Sequence, residues 1–179
     1  MRMSRKLLLL LTLLLLILLP VRAEEEQNLL TNGGFEALGA DGLPTGWYTD
    51  AYINREGVTL YSVTDDAHSG ENAVVVENVG LNDARFAQVV TVEPSSVYCL
   101  SGWIRADAIP DGGRGANLSI SDVYVFSESV FDTMGGWKYV EMYGVTDSDQ
   151  TRLTVFARVG GYSGESVGAA AFDDVNLTK

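Results

Sequence analysis

The clearest chemistry belongs to two carboxylates at opposite ends of the chain. Glu36 closes the stretch Asn28-Leu29-Leu30-Thr31-Asn32-Gly33-Gly34-Phe35-Glu36, and Asp173 follows Phe172 in Ala169-Ala170-Ala171-Phe172-Asp173-Asp174-Val175-Asn176-Leu177. A carboxylate beside a buried aromatic must be hydrogen-bonded, paired or metal-bound, because an uncompensated buried charge is costly. Asn and Gly tolerate positive φ, so the backbone at Asn32-Gly33-Gly34 can bend and turn its carbonyls inward. Bent carbonyls and carboxylates are the ingredients of a hard-cation site. If the closing run is a strand, Asp173 and Asp174 point to opposite faces and one of them faces inward. If the first and last strands are adjacent, Glu36 and Asp173 can share one cation, with carbonyls from the loop Ala67-His68-Ser69-Gly70-Glu71-Asn72-Ala73. Two simpler readings stay open: a solvated Glu36 after a turn, or carboxylates bonded to backbone amides with no metal.

Catalytic constellations are poorly represented. His68 is the only histidine, which excludes a histidine-rich zinc site. Ser69 is its sequence neighbour and is badly placed for a Ser–His pair. Gly161-Tyr162-Ser163-Gly164 lacks the strand–turn–helix setting of a nucleophile elbow. A glycosidase needs two carboxyls across a cleft, and with 24 acidic residues chance pairs carry no weight. The expectation is a protein that is not an enzyme.

The elements that would position these groups read as strands. Short β-branched and aromatic runs at 29–35, 58–63, 73–78, 86–92, 97–106, 117–126, 137–145, 152–159 and 169–177 alternate with Gly, Asp, Asn and Pro turns. That pattern predicts an all-β, two-sheet antiparallel sandwich. In 152–159, Leu153, Val155, Ala157 and Val159 share one face and form the natural core side; Phe156 and Arg158 then lie on an outer sheet surface. Trp47, Trp103 and Trp137 are expected in the core, as is an inert thiol at Cys99, the single cysteine.

Ahead of these strands, Arg2, Arg5 and Lys6 precede a leucine-rich run that ends at Pro20, and Val21-Arg22-Ala23 offers a cleavage site. Residues 1–23 therefore read as a secretory signal peptide, with an uncleaved anchor as the alternative, and residues 24–179 as one domain. The net charge is −12. Loss of Arg2, Arg5, Lys6 and Arg22 takes it to about −16 (12 basic residues less these four, against 24 acidic). Such a charge repels nucleic acid and suits a protein secreted or displayed at the cell surface.

The ordered set Asn28 to Glu36, Gly46-Trp47, His68-Ser69-Gly70-Glu71-Asn72-Ala73, Ala87-Gln88-Val89-Val90-Thr91-Val92-Glu93-Pro94, Tyr98-Cys99-Leu100-Ser101-Gly102-Trp103-Ile104-Arg105, Gly136-Trp137 and Phe172-Asp173-Asp174-Val175-Asn176-Leu177 resembles the carbohydrate-binding modules of the family 4/9/22 type, with a galactose-binding-like jelly roll. The resemblance implies a structural calcium held by Gly34, Glu36, Ser69, Glu71 and Asp173. It also implies a polysaccharide or glycan ligand on the concave sheet, at positions that match by location only: Tyr52, Arg85, Tyr124, Phe156 and Arg158, with Asp50 and Asn82 to Arg85 nearby. The chain is expected to be a monomer, secreted alone or carried by a larger enzyme or surface protein. The alternative is a structural or protein-interaction jelly roll that binds no sugar.

Overall fold

A computed structural model describes residues 27–162 and 164–179; the signal-peptide reading of 1–23 lies outside the described residues. Ten strands follow one another: β1 (Tyr48–Ala51), β2 (Thr59–Thr64), β3 (Ala73–Asn82), β4 (Ala84–Thr91), β5 (Val97–Asp107), β6 (Ala116–Ile120), β7 (Val125–Phe126), β8 (Lys138–Val145), β9 (Arg152–Val159) and β10 (Ser166–Thr178). They form two five-stranded sheets, ordered β1-β4-β9-β6-β7 and β2-β3-β10-β5-β8. Every pairing between named strands is antiparallel. The chain folds as the two-sheet β-sandwich its strand pattern predicts.

The core lies between the sheets, and alternation decides what enters it. Leu153, Val155, Ala157 and Val159 of β9 point inward, as expected, against Phe86 of β4, Leu118 and Ile120 of β6, and Leu100, Ile104 and Phe172 from the opposite sheet. Phe35 is fully buried and packs on Trp47 at 5.1 Å between ring centroids.

The opening run 29–35 is not the strand it was expected to be. It is a chain of turns, with Asn32 and Phe35 at positive φ (55° and 58°). It still docks on the last strand: the Leu29 N–H donates to the Leu177 carbonyl at 2.8 Å, and the Val175 N–H to the Gly33 carbonyl at 2.9 Å. Asn28 fastens the same join, its Nδ2 donating to the Val175 carbonyl and its Oδ1 accepting from the Leu177 N–H, each at 3.0 Å. Side-chain amides here do work a regular ladder would otherwise do.

Two core expectations also fail. Only Trp47 of the three tryptophans is buried. Trp103 and Trp137 are half-buried on the outer face of the second sheet, where His68 stacks on Trp103 at 3.9 Å and Tyr139 meets it edge-on at 5.5 Å. The reason is parity along β5: Leu100, Gly102 and Ile104 take the inner face, which leaves Cys99, Ser101 and Trp103 outside. Cys99 is accordingly half-buried, in no disulfide, and hydrogen-bonded to Tyr143.

Candidate functional site

The outer face of the first sheet carries a line of charge. Asp50 of β1, Arg85 of β4 and Arg158 of β9 are register partners across three neighbouring strands. Asp83, in the tight connection between β3 and β4, ties the two arginines together. Arg85 Nη1 donates to Asp83 Oδ2 at 3.0 Å, while its Nε donates to Asp50 Oδ2 at 2.8 Å. Arg158 grips the same Asp83 with Nε (3.0 Å to Oδ1) and Nη2, and its Nη1 reaches Ser119 Oγ at 3.3 Å. Burial holds the Arg158 guanidinium below its ordinary pKa against the opposing pull of Asp83; burial also weighs on Arg85, but its bonds to Asp50 and Asp83 hold it above.

Aromatic rings cover this line. The Arg158 guanidinium lies 5.0 Å from the Tyr162 ring centroid, 5.4 Å from Phe156 and 5.7 Å from Phe126, and Arg85 sits 5.0 Å over Phe156. Cation–π contacts of this kind gain strength as water is removed. The expectation of Phe156 and Arg158 on an open surface is therefore corrected. The sheet face is right, but Arg158 is 0% exposed and Phe156 is buried beneath Arg85. Both support the surface from below.

Above them opens a cleft of about 460 Å³, lined by Tyr52, Asp83, Arg85, Gly161, Tyr162, Gly164 and Glu165. Tyr52 and Tyr162 are 73% and 59% exposed. Tyr124 was expected inside a strand; it occupies the β6–β7 turn at φ 51°, its N–H bonded to the Ser121 carbonyl at 3.1 Å. An aromatic held in the left-handed region and left 72% exposed is a strained placement of the sort that clusters at ligand sites. Its ring lies 6.0 Å from that of Tyr162, so Tyr124 extends the aromatic rim without lining the cleft itself. The structure thus gathers Tyr52, Arg85, Phe156, Arg158 and Tyr124 on one face together with Asp83, which falls within the expected stretch Asn82 to Arg85, and adds Tyr162 and Glu165, which sequence reasoning did not select.

Tyr61 anchors the edge of this face from beneath, its hydroxyl donating to the Asp50 carbonyl at 2.7 Å. Burial, ahead of the nearby carboxylates, pushes its pKa up to about 12. The folded chain therefore keeps a proton that the unfolded chain loses near pH 10. This contribution to stability is complete below pH 10 and is lost as pH rises toward 12. Urea midpoints measured from pH 8 to 12 should fall over that window, and Tyr61→Phe should flatten the fall.

The carboxylates of the opening and closing segments meet on the opposite side of the molecule. Glu36 Oε1 accepts from the Glu71 N–H at 2.9 Å and the Asn72 N–H at 3.2 Å. The first of these bonds leads in lowering its pKa. The turn must bring its backbone very close: a Cβ on Gly70 would sit 2.1 Å from Glu36 Oε1, at φ +65°. Asp173 is fully buried, its Oδ2 accepting from the His68 and Ser69 N–H groups (2.8 and 3.0 Å) and its Oδ1 from the Asp174 N–H (2.7 Å). Burial nevertheless raises its pKa. Asp174, at the bulge in β10 with φ 48°, turns instead to His68 Nδ1 (2.7 Å) and Ser69 Oγ (2.8 Å).

The five-residue cation set drawn from the sequence is thus rearranged. Asp173 is committed to backbone amides, Glu71 meets Glu36 through its own N–H, and Asp174 is the carboxylate beside Gly34, Ser69 and Glu36. Among the described residues no three His, Cys, Asp or Glu side chains are grouped to hold a metal. The all-oxygen character of Glu36, Asp174 and the turn around Ser69 fits a hard cation, provided backbone oxygens or water complete the shell.

No protein-family model matches the chain. It is 33% identical over 152 residues to Exochitinase 1 of Streptomyces olivaceoviridis, covering 85% of this chain and 22% of that enzyme. The structure of TmCBM61 in complex with β-1,4-galactotriose superposes with a TM-score of 0.57 at 23% identity, over 86% of this chain and 99% of the module. A CBM4 structure superposes at 0.56 and 18% identity, over 83% and 98%. The chain has the jelly-roll fold of the family 4/9/22 type of carbohydrate-binding module. It spans about a fifth of the length of the curated relative it matches.

Proposed function

We propose that this chain is a non-catalytic module that binds a polysaccharide or glycan in the cleft between Tyr52 and Tyr162. One observation carries the reading: exposed tyrosines stand at a cleft whose floor is a fixed, desolvated ion network. Sugars are recognised by aromatic faces set against their C–H surfaces and by a few oriented polar groups. Here Tyr52 and Tyr162 supply the first, and Arg85, Asp83 and Glu165 the second. Because Asp83 holds both arginines, the polar groups need little reordering on binding, which lowers the entropic cost of association. A shared fold does not establish a ligand. The reading is supported by the galactotriose bound to TmCBM61 and the exochitinase of which a segment is related. The setting is a module exported from the cell, acting as a monomer within a larger enzyme or surface protein.

Isothermal titration calorimetry across plant, fungal and bacterial glycans tests the proposal. Binding of at least one glycan is expected, with Kd raised roughly tenfold by Tyr162→Ala or Tyr52→Ala, as loss of one aromatic contact of about 1–2 kcal/mol implies. No binding by any glycan would favour the structural or protein-interaction alternative.

Calcium belongs to the same proposal, as a fold-stabilising ion remote from the cleft, with Glu36 and Asp174 as its carboxylates and oxygens near Gly34 and Ser69 around it. When bound it would supply positive charge between two carboxylates that otherwise repel. A ligand that binds only the native state at 100 times its Kd adds about 2.7 kcal/mol, so Tm should rise by several degrees with calcium. The rise should shrink in Glu36→Gln. A Tm unmoved by chelator or calcium would remove calcium from the account.

A further inference from the structure

The charges at the cleft are unevenly spent. Arg85, the one basic residue among its lining residues, already binds two carboxylates, Asp50 and Asp83. Arg158 is fully covered and bound to Asp83. Arg114 lies behind Gly161 and Gly164, its guanidinium 4.6 Å over Phe126. On the acidic side, Asp83 has both oxygens engaged. Glu165 lines the cleft with no ion pair to any described residue, and the Asp50 carboxylate is partly exposed. Two arginines thus face three carboxylates, and the whole chain carries a net charge of −12.

We propose that the cleft selects by charge: it takes uncharged sugars, and sugars bearing free amino groups, against uronates. The inference rests on the glycan-binding reading above. A uronate carboxylate needs a cation with an open fork, and both forks here are occupied by protein carboxylates. Entering the cleft, it would meet Glu165 on the lining, with Asp50 behind it as the partner of Arg85, and give up hydration without a new partner. Neutral hydroxyls face no such penalty, since they can donate to Glu165 and Asp50. A sugar ammonium gains further from the same two carboxylates.

The test uses calorimetry at low salt with cellohexaose, β-1,4-galactohexaose and chitohexaose, the first two also as their C6-oxidised uronates and the third also as its deacetylated amine. For whichever neutral oligomer binds, its uronate is expected about tenfold weaker or worse, with a gap that narrows at high ionic strength because exposed charges are screened. The amine is expected to bind at least as well as chitohexaose. Glu165→Gln should narrow the neutral-to-uronate ratio. Glu77→Gln, an exposed change on the other sheet, should leave the ratio alone. That pair separates local selection from the overall charge. A uronate that binds as tightly as its neutral parent, or a ratio moved equally by Glu77→Gln, overturns the charge selection. No binding by any of these probes or by the wider set of plant, fungal and bacterial glycans overturns the glycan reading beneath it.

Discussion

Replacing Asp83 with alanine is expected to cost roughly 3–5 kcal/mol, because it leaves a buried guanidinium with no counter-charge. Arg158 has no solvent to turn to: it is 0% exposed and enclosed by Phe126, Phe156 and Tyr162. Its remaining side-chain bond would be the 3.3 Å contact to Ser119 Oγ. Arg85 would keep Asp50, so the damage falls mainly on Arg158. For a chain of this size the loss corresponds to a drop in Tm of about 10 °C or more. Asp50→Ala, which removes a carboxylate that is partly in water, should cost far less, within about 1 kcal/mol. The diagnostic comparison is the double variant Asp83→Leu with Arg158→Met. If the pair is a specificity device more than a source of stability, the double variant should be more stable than Asp83→Ala alone. It should nonetheless lose ligand affinity, since Arg85 would no longer be held between two carboxylates. Thermal unfolding of the three variants decides this; a single Asp83→Ala variant as stable as the parent would refute the described network.

The second large effect is expected at Gly160, which follows β9 and supports the same turn from below. Its φ is +100°, and a Cβ there would lie 2.5 Å from the Asn82 carbonyl oxygen and 2.8 Å from the Asp83 Cα. Gly160→Ala therefore combines two penalties. The left-handed backbone costs on the order of 1–3 kcal/mol, and the clash is with main chain, which can yield only by moving Asp83. Gly42 provides the comparison, with φ +78° and nothing within 4 Å of an added Cβ. Gly42→Ala should show the conformational cost alone. In urea titrations Gly160→Ala should be the more destabilised, and in calorimetry it alone should lose glycan affinity. Equal midpoints for the two variants would mean that the Asn82–Asp83 turn tolerates displacement.

What could be read in the sequence, and what could not, follows from the range of each interaction. The inward face of β9 was legible because alternation is a local property, carried by Leu153, Val155, Ala157 and Val159 themselves. The covering of Arg158 was not. It depends on Asp83, 75 positions away, and on the rings of Phe126 in β7, Phe156 in β9 and Tyr162 in the β9–β10 connection. The strand β1 was missed because Tyr48-Thr49-Asp50-Ala51 is short, with its first two residues exposed; pairing with β4 makes it a strand. The opening run was assigned to a strand on its apolar residues alone. Its shape comes from Asn28 and Asn32 bonding to backbone, and from Phe35 taking a conformation that apolar patterning does not anticipate. At the end of the chain, one bulge in β10 sent Asp173 to the amides and Asp174 to His68 and Ser69, a division of roles that adjacency in sequence leaves undetermined.

The join between the opening segment and β10 also decides how the molecule bears load. Leu29 bonds to Leu177 and Gly33 to Val175, so the two segments run in opposite directions, with residues 28 and 179 at the same end. Tension applied through those ends does not pull all the bonds of the join at once. It reaches Leu29–Leu177 first, and each rupture passes the force to the next, as in an opening zipper. A protein tethered on both sides would release its first few residues at low force while the ten strands stay folded, giving a short elastic extension before any loss of the cleft.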